Sequence, residues 1–304
     1  MKWVKKFFKP RSVYRMAALG IGITLSAYLI KRHSGPALEY FCWKVGYFAS
    51  NYHKRHRPHL LILVRTTESL ANIDNAVYAS VPDNKIGLTE KGISQADNIG
   101  KKLREYIDKN DDVSFFVSPF ERARVTAREI IKYFPTYRYF EDPRLRAQEW
   151  GNLAYFQCDE VKRKEVYAER TKVGRFFYRF QSGESGADVY DRISLFFETL
   201  YRQMDLQTNE INKKRTFLIV GHGTLLKLIL MRYERMSIED FHKMKNIGNG
   251  EAIILKRFPD GRYKVTEHIF PDGTEENSNP ALADSTLSII KNDISCLHKP
   301  SSPL

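Results

Sequence analysis

Three short apolar runs restrict this chain to one broad class of fold. Leu60–Val64 (LLILV), Val113–Val117 (VSFFV) and Thr216–Val220 (TFLIV) are hydrophobic at nearly every position. Strands without polar alternation are covered on both faces, as in a sheet sandwiched by helices. Helical patterns fill the intervals. Thr89 suits an N-cap ahead of Ile93, Ala96, Ile99, Leu103 and Tyr106, which recur at helical spacing. A second helix is expected to start at Pro119, where a missing N–H costs little, and to carry Ala123, Ala127, Ile130 and Ile131. Gly186–Met204 reads as a third, with Val189, Ile193, Phe196 and Phe197 on one face. This alternation predicts a three-layer α/β/α domain with a largely parallel central sheet. Arg262–Phe270, behind Pro259-Asp260-Gly261, reads as a late hairpin strand.

The charge is placed very unevenly. Residues 1–59 hold twelve Lys and Arg against one acid, Glu39, so +11 of the net +13 lies there and the other 245 residues are nearly neutral. A DNA-binding face on the globular part is thereby disfavoured, and no nucleic-acid partner is expected. Within the arm, Met16–Ile30 (MAALGIGITLSAYLI) carries no charge and is flanked by Arg15 and Lys31. As a helix it spans about 22 Å, and snorkelling of the flanking cations closes part of the gap to a hydrocarbon layer of about 30 Å. Tyr40, Phe41, Trp43, Tyr47 and Phe48 follow the Ser34-Gly35-Pro36 break and suit a membrane interface. The expected organisation is a basic arm with a single-pass anchor helix over 1–36, an interfacial aromatic linker over 37–58, a globular domain over 59–271 and an irregular tail over 272–304. A cleaved secretory signal, a mitochondrial presequence and a helix packed on the domain are the rival readings of the arm. The acid-poor N-terminus favours a mitochondrial membrane over an endomembrane. Cys42, Cys158 and Cys296 lie too far apart to suggest a zinc site or a disulfide framework.

Parallel sheets place ligands at the C-terminal ends of their strands. The segments there are LILVRTTESLAN, SPFERARVTA and IVGHGTLLK, with LRAQEWGN at Leu145–Asn152 and GESGADVYDR at Gly183–Arg192. In this order and at these strand ends, from about His59 to Phe270, the chain resembles the histidine phosphatase (phosphoglycerate mutase-like) superfamily. GLTEKG, QEWGN, GRFFYRF and GESGADVYDR bring it nearest to the broad-range acid phosphatase members.

The resemblance implies a phosphoryl site needing no metal and no cofactor. An R-H-G motif supplies a histidine nucleophile, two Arg and a second His surround the phosphoryl group, and a Glu protonates the leaving alcohol. It places Arg65, Arg122 and His222 on the phosphate, with Asn72 touching it. Singly, each has an ordinary reading, as a strand-end surface residue, a helix-face charge or a histidine satisfied by backbone. Their convergence at three strand ends favours the phosphate site. The reacting half departs from the pattern. Arg65-Thr66-Thr67 stands where the family has R-H-G, and Leu145-Arg146-Ala147-Gln148-Glu149-Trp150-Gly151 stands where it has L-R-E-Q-E-W-G. A threonine without an adjacent base is a poor nucleophile, and alanine donates no proton. Thr67 is expected to crowd the pocket with its Cβ, and Glu149 lies two residues from the place of the missing acid. In the cap segment Arg170–Phe180, Arg175, Tyr178 and Arg179 are candidates to face substrate.

Two functions from different classes follow. One is a membrane-anchored, catalytically inactive pseudophosphatase with a structural or regulatory role, partnered by other proteins in a membrane complex and by a phosphorylated small ligand. The alternative is an active phosphomonoester phosphatase or phosphotransferase with rearranged residues, His222 or Thr66 serving as acceptor.

Overall fold

The structure is a computed structural model and describes residues 39–47, 57–154, 159–205 and 213–271. The chain divides into two units at His56/Arg57. Of the first unit only a helix at 39–47 (α1) is described; Tyr40, Phe41, Trp43 and Tyr47 are exposed on it. Tyr40 stacks on Trp43 and Trp43 on Tyr47, with ring centroids 6.2 and 5.5 Å apart, because residues three and four apart share a helix face. Among the described residues no helix is long and apolar enough to cross a membrane, and the expected anchor Met16–Ile30 lies outside them.

The second unit is built on a six-stranded sheet. Its strands are β1 (Leu60–Arg65), β2 (Asp112–Val117), β3 (Tyr137–Glu141), β4 (Arg215–Gly221), β5 (Ala252–Arg257) and β6 (Tyr263–Ile269), in the order β3-β2-β4-β1-β5-β6. The first four in that order run parallel; β5 pairs antiparallel with β1, and β6 with β5. Helices α2 (Leu70–Ile73), α3 (Glu90–Tyr106), α4 (Glu121–Ile131), α5 (Glu160–Val173), α6 (Gly186–Asp205), α7 (Gly223–Glu234) and α8 (Ile238–Lys243) complete it.

Strand periodicity makes the layers. Leu60, Ile62 and Val64 of β1 point to one face and pack with Ile99 and Leu103 of α3 and Ala127 and Ile130 of α4. Leu61 and Leu63 point to the other and pack with Ile193 and Phe196 of α6 and Leu225 and Leu228 of α7. Full burial of each such aliphatic contributes roughly 1.5–3 kcal/mol relative to exposure.

Several sequence expectations shift at their edges. The helix expected from Pro119 starts at Glu121, with Phe120 at its N-cap and Ser118 Oγ accepting a 3.4 Å bond from the Phe120 N–H. Ile93 was expected on the buried stripe of α3 but is 42% exposed, while Gly92, Gln95 and Ala96 are buried. The stripe turns because α3 starts hard against Glu68, whose carbonyl oxygen lies 2.0 Å from where a Gly92 Cβ would be. The late strand is Tyr263–Ile269, and Gly261 holds φ +83° in the turn before it.

The parallel register positions the site. Arg65 pairs with Gly221 and Val117 with Val220, so Thr66, Ser118 and His222 leave the sheet at one edge. The Thr66 N–H donates to the Gly221 carbonyl at 2.8 Å and that of Ser118 to Val220 at 3.0 Å.

Candidate functional site

A pocket of about 330 Å³ sits at this edge. Arg65, Thr66, Asn72, Arg122, Ala147 and His222, all six site positions taken from the sequence, line it. Arg65 closes β1, and its Nη1 donates to the Ile247 carbonyl. Burial pulls its guanidinium below its ordinary pKa, with Glu251 acting against this and Arg122 adding to it. Arg122 is 7% exposed; its Nη1 donates to the Asp83 carboxylate and carbonyl, both at 2.7 Å, and its guanidinium lies 5.0 Å from the Phe120 ring centroid. Each arginine thus keeps Nε and Nη2 without a protein acceptor among the described residues, enough for a two-pronged grip on a phosphate.

His222 is the N-cap of α7 and makes no side-chain cap bond. Its Nε2 lies 2.8 Å from Ser118 Oγ and its ring packs edge-on against Phe120. Burial, then Arg122, Arg192 and Arg65, hold its pKa well below 6.5, so the imidazole is neutral. Gly223 and Thr224, the first residues of α7, also line the pocket, where the first-turn N–H groups of a helix favour anions. Asn72 spends its carbonyl on the Ser69 N–H and hydroxyl, both at 2.9 Å, which leaves its amide N–H₂ toward the cavity it lines.

The reacting positions look different. Thr66 is 5% exposed and its hydroxyl makes no hydrogen bond among the described residues. Ala147 contributes a methyl group, and its carbonyl accepts from Arg192 Nη2 at 3.1 Å. Glu149 does not take up the missing role. Its carboxylate is bound by Arg146 Nε at 3.1 Å and lines a separate, more open cavity. Thr67 does not crowd the pocket either. It is outside the lining, and its hydroxyl lies 3.2 Å from Thr126 Oγ1 on α4. The GESG segment proves structural: Glu184 holds Arg192 through both its oxygens at 3.0 and 3.1 Å and also receives Arg146.

Of the three cap candidates only Arg175 lines the pocket. Tyr178 donates to Glu169 at 3.2 Å, and Arg179 pairs with Asp188 at 2.6 Å. Two further lining cations, Arg170 and Lys227, stand at the ends of the segments Arg170–Phe180 and IVGHGTLLK, where the motif comparison does not single them out. Lys227 leaves a trace in the sequence as the lone charge in the apolar run LLKLILM. The lining therefore has five basic side chains, Arg65, Arg122, Arg170, Arg175 and Lys227, and no carboxylate among the described residues.

Two arginines, a histidine and a helix N-terminus thus converge at the parallel strand ends of a mostly parallel α/β domain, an arrangement suited to an anion. The family model of the histidine phosphatase superfamily (branch 1) matches residues 61–268, and the chain belongs to that superfamily. It is similar to the phosphoglycerate mutase-like protein AT74H of Arabidopsis thaliana, with 38% identity over 71% of this chain and 80% of the relative. It is also similar to the broad-range acid phosphatase DET1 of Saccharomyces cerevisiae, with 24% identity over 72% of this chain and 91% of the relative. The solved mycobacterial glucosyl-3-phosphoglycerate phosphatase in complex with inorganic phosphate shares the fold, with a TM-score of 0.54 and 17% identity, over 69% of this chain and 96% of that one.

Proposed function

We propose that this chain is a pseudophosphatase: it holds a phosphorylated ligand on Arg65, Arg122 and His222 and does not turn it over. The observation that carries this reading is the make-up of the pocket wall, which keeps both arginines and the histidine yet presents no carboxylate. An alcohol leaving from phosphorus needs a proton donor, and a hydroxyl nucleophile needs a base. Thr66 has no carboxylate beside it in the lining, and His222, its Nε2 engaged by Ser118, is a neutral imidazole without the extra proton a general acid gives. General acid catalysis alone contributes about 10²- to 10⁴-fold, and loss of the covalent route adds to that deficit.

The same reading places the domain at a membrane, tethered through Met16–Ile30 and working as a regulatory or structural subunit among protein partners, with a mitochondrial membrane preferred. Its support is the uncharged run between Arg15 and Lys31 and the exposed aromatics of α1. The test is an assay of the purified full-length chain against p-nitrophenyl phosphate and phosphoglycerates, with acid trapping of any phosphoenzyme. Neither turnover nor an acid-labile phosphoprotein is expected. Activity that survives purification and disappears in His222→Ala overturns the reading in favour of a rearranged phosphatase.

A further inference from the structure

We propose that Lys227 is a nucleophilic amine that holds a phosphorylated aldehyde in the pocket as an imine, while the aldehyde's phosphoryl group lies on Arg65 and Arg122. The inference rests on the phosphate-binding reading of those two arginines and adds to it a covalent bond and a class of ligand.

Lys227 sits where a charged lysine is costly. It belongs to the stretch 225–231 of α7, buried at every position, and is itself 3% exposed, yet it lines the pocket. Its Nζ lies 4.9 Å from the Phe241 ring centroid and donates one bond, of 2.6 Å, to the Met244 carbonyl. No carboxylate pairs with it among the described residues; the charged groups facing it are Arg170 of α5 and Arg175 in the segment that follows. Desolvation and those two guanidinium groups bring its pKa down to about 8. At pH 8 about half of the pockets then present a neutral amine, against under about 1% for a lysine in water. Desolvated lysines beside other cations are the ones that form imines with carbonyl ligands.

The step balances without a further reactant. The Nζ lone pair adds to the aldehyde carbon, both amine hydrogens leave with the carbonyl oxygen as water, and C=N replaces C=O. Nothing is oxidised or reduced, and water reverses the bond. A neutral imine also removes one of three crowded positive charges, which favours the adduct over the ammonium ion.

The helix sets the reach. Gly223, at the first-turn anion position of α7, and Lys227 both line the pocket and are four residues apart on one face. A phosphoryl group at the first turn therefore leaves about 6 Å along the helix axis to the level of Lys227, which a short phosphorylated aldehyde spans.

The experiment incubates the full-length chain at pH 8 with pyridoxal 5′-phosphate, pyridoxal or glyceraldehyde 3-phosphate, reduces with borohydride and locates the adducts by peptide mass spectrometry. Calorimetric titration with inorganic phosphate reads the arginine site independently. Lys227 is expected to be the most heavily labelled lysine, at least ~10-fold more by pyridoxal 5′-phosphate than by pyridoxal, because the arginines retain only the phosphorylated probe. Excess inorganic phosphate and Arg65→Ala should each remove most of that advantage. Labelling of Lys227 by either phosphorylated probe supports the proposal, and the faster of the two identifies a ring or an open-chain aldehyde. Lys227→Arg, which keeps the charge but has no nucleophilic amine, is expected to lose the adduct. Labelling spread over exposed lysines with Lys227 spared, while inorganic phosphate still binds, overturns the imine and leaves the phosphate site in place. Equal labelling of Lys227 by pyridoxal and pyridoxal 5′-phosphate, with no protection by phosphate, overturns the phosphate site and with it the ligand class. Lys227 spared in a chain that binds no phosphate overturns both.

Discussion

Ser118 Oγ and His222 Nε2 lie 2.8 Å apart, joining the residue after β2 to the residue after β4 across neighbouring parallel strands. The contact fixes the imidazole from one side while Phe120 packs against its ring. The binding half of the site is thus braced by the scaffold, although the positions of nucleophile and acid hold Thr66 and Ala147. A scaffold preserved in this way makes the missing chemistry open to restoration.

Thr66→His combined with Ala147→Glu is expected to raise phosphomonoesterase activity at least about 10-fold above the background of the parent chain, since both the covalent route and the proton donor return. Adding Thr67→Gly is expected to bring little further activity, because Thr67 faces Thr126 and not the cavity. It costs about 1 kcal/mol of stability through the lost contact and the freedom of glycine in the unfolded chain. Assays and thermal melts of the double and triple variants check both statements. A well-folded double variant without turnover shows a pocket remodelled beyond these positions.

Arg65→Ala and Arg122→Ala should both weaken phosphate binding but affect the empty protein differently. Arg65 works against burial and Arg122 but is favoured by Glu251 and donates to the Ile247 carbonyl, so its removal without phosphate is expected to cost only about 0.5–1.5 kcal/mol. Removal of Arg122 leaves Asp83 without its 2.7 Å partner and is expected to cost about 1–3 kcal/mol. Melting curves with and without inorganic phosphate separate the two effects.

Much of this arrangement is legible in the amino-acid sequence, for physical reasons. β1, β2 and β4 are buried on both faces and so announce themselves as apolar runs. The edge strand β3 alternates exposed Tyr137 and Tyr139 with half-buried Arg138 and Phe140, and carries no such signature. β5 carries an apolar stretch, Ala252–Leu255, but its antiparallel place beside β1 depends on a partner about 190 residues away in the chain. Arg65, Arg122 and His222 are readable because motif and strand end coincide. Arg170 and Lys227 reach the cavity only through the docking of α5 and α7, which local pattern does not encode.

Stability should fall on acidification in part through His222. Its folded pKa lies well below the 6.5 of the free side chain, so the unfolded chain binds the proton first. The stabilisation is complete above pH 6.5 and is lost as pH falls below it. Between pH 7.5 and 5.5 this group therefore adds to the decline in stability. His222→Asn, which retains an N-cap residue, is expected to make that decline shallower. His59 and His268, also depressed by burial, still contribute in the variant. Denaturant unfolding at the two pH values measures the difference.

The proposed anchor makes a simple physical demand. Full-length chain should resist carbonate extraction from membranes, and deletion of Met1–Ser34 should release it, because an uncharged helix of about 22 Å is then gone. Recovery of the full-length chain in the soluble fraction without detergent counts against the tether.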